Sequence, residues 1–130
     1  MRVLDTDTCV HILRGNHRTV ARREATDDDV AITWITASEL HYGAAKSIAP
    51  EQNHEIVVRF LATMPILGID ERSARLFGET KALLETMGMR LADADLLIGA
   101  MAVTHGAILV TGNERHFQRI PRLVIENWIR

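Results

Sequence analysis

Four separated stretches of this 130-residue chain end or begin in side chains suited to a hard cation. Asp5 closes the apolar "RVLD", and Asp7 follows it in "LDTDT". Glu39 comes after "VAITW", Asp93 and Asp95 open the apolar "DADLLIGAMAVT", and Asn113 follows "AILVT". Carboxylates gathered in one crevice repel each other, and without a counter-charge some must take up protons. A divalent cation removes that cost. Oxygen-only donors, with no sulfur and no obligatory imidazole, suit Mg²⁺ or Mn²⁺. Such an ion works on phosphate oxygens and lowers the pKa of a bound water, so the pattern points to phosphoester chemistry.

Each of these residues also has a local explanation. Asp93 fits an N-cap and Asp95 a first-turn acid favoured by the helix dipole. Glu39 stands at capping-box spacing from Thr36. Asn113 in "TGNE" fits a turn or the cap of a short helix. Asp5 is harder to explain locally, because an acid that closes an apolar strand has only the following turn to satisfy it.

The elements that must position these groups alternate. "RVLD" reads as a short buried strand, followed by a helix from Thr8 to Arg14 that Gly15 stops. "HRTVARREA" reads as a polar helix, and after the solvated "TDDD" the branched "VAITW" reads as a strand leading into the helix "TASELHYGAAKS". Pro50 suits a first helical turn, "EIVVRFLATM" has an apolar face at helical period, and "PILGI" reads as a third strand. Asp70 caps a long amphipathic helix that Gly88 ends, and the apolar helix from Asp93 ends at Gly106. "AILVT" and "LVIENW" complete the strands. Strands that are apolar along their whole length and alternate with helices predict an α/β fold: a mostly parallel sheet covered on both faces, three layers deep. In such sheets the ligand crevice lies beyond the carboxyl ends of the strands, where the strand order reverses. The acids fall at that edge.

Composition narrows the class. Hydrophobic residues make up 47% and charged residues 25%, with no low-complexity tract, which predicts a single globular domain over residues 1–130. The longest apolar run is too short to span a bilayer and no signal peptide is visible, so a soluble cytoplasmic protein with no membrane partner is expected. A lone cysteine, Cys9, excludes an intrachain disulfide and reads as a buried small hydrophobe. The net charge of −2 advertises no nucleic-acid partner in bulk, so any such partner must be held by a local patch. The six histidines, at 11, 17, 41, 54, 105 and 116, lack compact ligand spacing and are read as isolated.

Taken together, "LDTDTCVHIL", "TASELHYGAAKS" and "DLLIGAMAVTHGAILVTGNERHFQRIPRLVIENW" resemble the PIN domain, specifically the VapC toxin ribonucleases of bacterial toxin–antitoxin pairs. The likeness covers nearly the whole chain, and its final segment is the most specific. It implies a five-stranded parallel sheet and a Mg²⁺-dependent endoribonuclease, with Mn²⁺ as an alternative ion. It also implies frequent homodimers, an inhibitory VapB-type antitoxin, and transfer or ribosomal RNA as substrate.

By that resemblance Asp5, Glu39 and Asp95 are the family's three acids, with Asp5 and Asp95 as main metal ligands. Asn113 stands where aspartate is common, which removes a charge and suggests one tightly held metal. His116 also occupies a place where an acid is common. Thr6 and Thr111 line the pocket, Asp7 adds charge at its rim, and Asp93 is kept as a helix cap. The implied mechanism is in-line attack of a metal-activated water on a phosphodiester, oriented or deprotonated by Glu39, leaving a 5′-phosphate and a 3′-hydroxyl. Arg14, Lys46 and Arg115, with Arg18, Arg22, Arg23 and Arg119, are the cations positioned to hold RNA. Two rival readings stand beside this one: a degenerate binding module that does no chemistry, and a haloacid-dehalogenase-like phosphatase suggested by "LDTDT". The second needs a lysine and an acidic pair after "ILVTG", for which the chain is too short.

Overall fold

A computed structural model describes residues 1–130. Its elements in chain order are β1 (Arg2–Leu4), α1 (Thr6–Leu13), α2 (His17–Ala25), β2 (Val30–Thr33), α3 (Trp34–Ala45) and α4 (Pro50–Leu61). These are followed by β3 (Ile66–Leu67), α5 (Glu71–Thr86), α6 (Asp93–Thr104), β4 (Ile108–Val110), α7 (Glu114–Phe117) and β5 (Val124–Glu126). The strands form one sheet in the order β3-β2-β1-β4-β5. All four pairings are parallel, with Leu4 opposite Val110 and Val110 opposite Glu126. The chain winds outward from β1 to β3, then returns to the other side of β1 with β4, so the order reverses between β1 and β4.

Alternation along each strand divides the core in two. Val3 and Leu109 pack with Leu84 of α5 and with Leu96, Ile98 and Ala102 of α6. Leu4, Val110 and Ile32 pack with Cys9 of α1, Leu40 and Ala44 of α3, and Val57 of α4. Strands buried on both faces need apolar residues at every position, which is why "VAIT" and "ILV" carry no polar alternation. No helix is long and apolar enough to cross a membrane.

Most elements fall where the sequence predicts them, and the differences lie at helix starts and in the lengths of the third and last strands. α1 begins at Thr6, two residues early, because the Asp5 carboxylate accepts the Thr8 N–H at 2.8 Å and acts as N-cap. Trp34 starts α3 instead of ending β2, with Thr33 as the cap: its hydroxyl accepts the Thr36 N–H at 3.2 Å. The third strand shrinks to two residues. Asp70 forms a full capping box with Ser73, and Gly88 turns the chain after α5 with φ 68°, a conformation open to a residue without Cβ.

A charge network joins β1 to β5 across the sheet. The Glu126 carboxylate accepts hydrogen bonds from Arg2 Nη2 at 3.0 Å, Arg22 Nη2 at 3.3 Å and the buried Trp128 Nε1 at 2.5 Å. Arg2 also reaches Asp28 at 2.9 Å, which pairs with the terminal amine at 3.0 Å. Hydrogen bonding from Arg2 holds Glu126 below its ordinary pKa. Its contribution is therefore present above the ordinary value of 4.5 and is lost as pH falls through the lowered native value. Glu126→Ala, which strands the indole N–H and Arg2 together, is expected to lower stability by about 2 kcal/mol in denaturant titrations. Glu126→Gln, which keeps an acceptor for Trp128, should lose less.

Candidate active site

The reversal between β1 and β4 opens a recess of about 480 Å³, lined by Asp5, Thr6, Asp7, Val10, Glu39, Asp95, Gly112, Asn113 and Phe117. It brings together side chains from the ends of β1 and β4, from α3 and from the start of α6. No lysine or arginine lines it. The carboxylates therefore share one space with no lysine or arginine beside them.

Asp5 is the most buried of them, with 4% of its surface exposed. Its backbone N–H bonds to Val110 O at 3.0 Å, which ties the end of β1 to β4. Burial pushes its pKa above the ordinary aspartate value, while hydrogen bonds from the Thr111 hydroxyl and the Thr8 amide pull the other way. Thr111, itself fully buried, sits behind the recess, and its hydroxyl accepts the Asn113 N–H at 2.9 Å. It thereby orders the turn that delivers Asn113.

Asp95 is the third residue of α6, a helix that buries Leu96, Ile98, Gly99, Ala100, Met101 and Ala102. That burial explains an acid at the door of so apolar a helix, because a helix clamped in the core holds its first turn still. The Asp95 pKa is raised, first by desolvation and then by the charge of Glu39, with His116 acting in the opposite direction. Glu39 lies in the second turn of α3 and accepts the Thr6 hydroxyl at 2.5 Å. Thr6 Oγ1 in turn lies 3.1 Å from Thr36 Oγ1. Glu39 is thus oriented from α1.

Three expectations change. Thr33 and not Thr36 caps α3, so Glu39 has no capping box to complete, and Thr36 is already inside the helix. Asp93 is not a cap, because Ala92 adopts the extended cap conformation, and Asp93 makes an ion pair with Lys81 of α5 at 3.0 Å. Asn113 takes the cap position of α7 but makes no capping bond; its Oδ1 accepts from His116 Nδ1 at 2.6 Å. Asp7 stays at the rim, with His11 Nδ1 3.7 Å from its carboxylate.

The basic candidates separate. Arg14 and Lys46 line a neighbouring groove of about 420 Å³ that shares Val10 and Glu39 with the recess. Arg115 is exposed on α7, outside both linings. Arg22 is engaged by Glu126, and Arg119 donates to Arg90 O at 3.1 Å. Sequence reasoning passed over Gly112, whose only signal was its place between the strand end and Asn113. A Cβ there would meet Ile129 Cδ1 at 2.6 Å, so glycine lets the carboxyl terminus close against the recess wall.

The donor set suits a hard cation. No three carboxylate or imidazole side chains converge to enclose an ion by themselves. Mg²⁺ commonly needs only one or two carboxylates and keeps several waters. Two aspartates that burial leaves poorly solvated, in a recess with no basic side chain, are donors of that kind.

The PIN domain family model matches residues 2–123. Ribonuclease VapC2 of Rickettsia felis is 34% identical over 97% of this chain and 96% of its own length. The tRNA(fMet)-specific endonuclease VapC of Salmonella typhimurium is 35% identical over the same shares. Among solved structures, VapBC2 from Rickettsia felis bound to a promoter DNA fragment superposes with a TM-score of 0.91 at 34% identity, covering 98% of both chains. DNA-bound VapBC from Salmonella typhimurium gives 0.92 at 34%, covering 98% of this chain and 97% of that one. The chain belongs to the PIN-domain family. Its branch is that of the VapC ribonuclease toxins.

Proposed function

We propose that this chain is a divalent-metal-dependent endoribonuclease toxin that cuts RNA phosphodiesters and is held in check by a VapB-type antitoxin. The observation that carries this reading is the recess itself, where Asp5, Glu39, Asp95 and Asn113 from four chain segments line one space without a basic side chain. Asp5 and Asp95 would hold Mg²⁺, or Mn²⁺, with Asn113 supplying a neutral oxygen donor at the fourth place. When bound, that ion supplies positive charge to the phosphate oxygens and lowers the pKa of a water. Glu39, oriented by Thr6, would take the proton from a water attacking in line with the leaving 3′-oxygen. Thr111 keeps Asp5 and the Asn113 turn in place, and Asp7 adds charge at the rim.

Arg14 and Lys46 give the RNA backbone a cationic path up to Glu39, with Arg115 an outlying contact. The names of the relatives support transfer RNA as the first substrate to test, ahead of ribosomal RNA, and the VapBC complexes support a VapB-type partner. The protein is expected to act as a cytoplasmic homodimer. The phosphatase alternative requires a lysine in the pocket, and none lines it.

The deciding experiment is cleavage of total cellular RNA by antitoxin-free protein, with Mg²⁺, with chelator, and with end-group analysis of the fragments. Discrete fragments bearing 5′-phosphates, absent with chelator, are the expected result; no cleavage by folded, Mg²⁺-supplied protein would favour the binding module. Glu39→Gln gives a second check. Glutamine keeps an acceptor for Thr6 and disturbs no cap, so the melting temperature should hold while cleavage falls about 10²-fold or more.

A further inference from the structure

The two histidines at 41 and 54, thirteen residues apart in sequence, meet across α3 and α4. Their Nδ1 atoms are 2.8 Å apart and their ring centroids 5.0 Å apart, with the planes inclined at 34°. Neither lines the acid recess, and neither belongs to the two core clusters. Both are half-buried, on helices fixed by the buried Leu40, Ala44 and Val57. An open depression of about 380 Å³, lined by His54, Glu55, Val58 and Arg59, reaches the His54 side of the pair.

We propose that His41 and His54 form a binding site for a transition-metal dication of the Zn²⁺ class, which clamps α3 to α4 and is separate from the acid recess. Two nitrogens at ~2.0–2.1 Å from one ion lie roughly 2.9–3.4 Å apart, so a small rotation of either ring opens the pair enough to admit it. Both rings then carry their proton on Nε2 and turn their Nδ1 lone pairs to the ion. Water entering from the depression completes the coordination. Imidazole favours zinc, nickel and copper over magnesium, so excess Mg²⁺ occupies the carboxylate recess and leaves the histidine pair to zinc. His41 lies two residues beyond Glu39, so an ion here stiffens the helix that carries that acid.

The test is a titration of the full chain with zinc chloride in excess Mg²⁺, reading bound zinc by equilibrium dialysis and the melting temperature by calorimetry. One zinc per chain is expected, with a rise of about 5 °C or more at a hundredfold excess over Kd. His41→Gln and His54→Gln should each weaken zinc binding by at least about tenfold and remove most of that rise. A hydrogen bond alone predicts something different: both variants melt lower without metal, and zinc does not shift the wild type. That result would overturn the proposal, as would a zinc-dependent rise that survives in both variants.

Discussion

Asp95→Asn is expected to reduce RNA cleavage by ~10²–10³-fold while leaving the metal-free chain at least as stable as the wild type. The two halves of that expectation come from one fact. Asp95 is partly withdrawn from water beside Glu39, and both effects raise its pKa above the ordinary value of 3.8. A carboxyl whose native pKa is raised binds its proton more tightly when folded than when unfolded. Its favourable contribution is complete below the ordinary value and is lost as pH rises through the native one. At neutral pH the ionised form therefore costs stability, and asparagine removes that cost along with the charge. The stability half is read from denaturant midpoints with chelator at pH 7, and the activity half from RNA cleavage with Mg²⁺. Undiminished cleavage by the variant would remove Asp95 from the mechanism; a large loss of stability would mean that the acid serves the fold.

Much of the site was legible because its acids mark where strands stop. Asp5 and Asn113 follow apolar runs whose ends are visible as changes in residue type, and a parallel sheet brings those ends to one edge. The helix starts were less legible, for a physical reason. A cap needs an extended backbone as well as the right side chain, and "TWITASE" offers two threonines at acceptable spacing. β2 keeps Thr33 extended, at φ −106° and ψ 161°, so the helix begins at Trp34 in spite of that residue's strand preference. Ala92 takes the cap position before α6 by the same logic, although it has no side chain to offer, because Asp93 is drawn to Lys81 on the neighbouring helix. The His41 and His54 contact had no local signature at all. It depends on how α3 and α4 cross, which is a matter of tertiary packing that includes Leu40, Ala44 and Val57.

Asp5 separates structure from chemistry more sharply, because its carboxylate does two jobs at once. It caps α1 through the Thr8 N–H at 2.8 Å, and it faces the recess as the most buried acid. Asp5→Asn keeps a good cap and removes the charge, whereas Asp5→Ala removes both. Alanine also leaves the Thr8 amide and the buried Thr111 hydroxyl without their acceptor, so its loss of stability should reach about 2–3 kcal/mol. Asparagine should lose little, or gain, since burial raises the pKa of the native carboxyl and makes its charge unfavourable at neutral pH. Both variants should cleave RNA ~10²-fold less or worse, and both should lose the melting-temperature rise that Mg²⁺ gives the wild type. That rise should also shrink as the wild type is acidified toward the raised pKa values of Asp5 and Asp95, where protons compete with the ion. If Asp5→Asn keeps both its cleavage and its Mg²⁺ response, Asp5 is a cap and nothing more. If it loses both while stability holds or rises, the buried carboxylate is retained for the cation, and any gain in stability measures what its charge costs the metal-free fold.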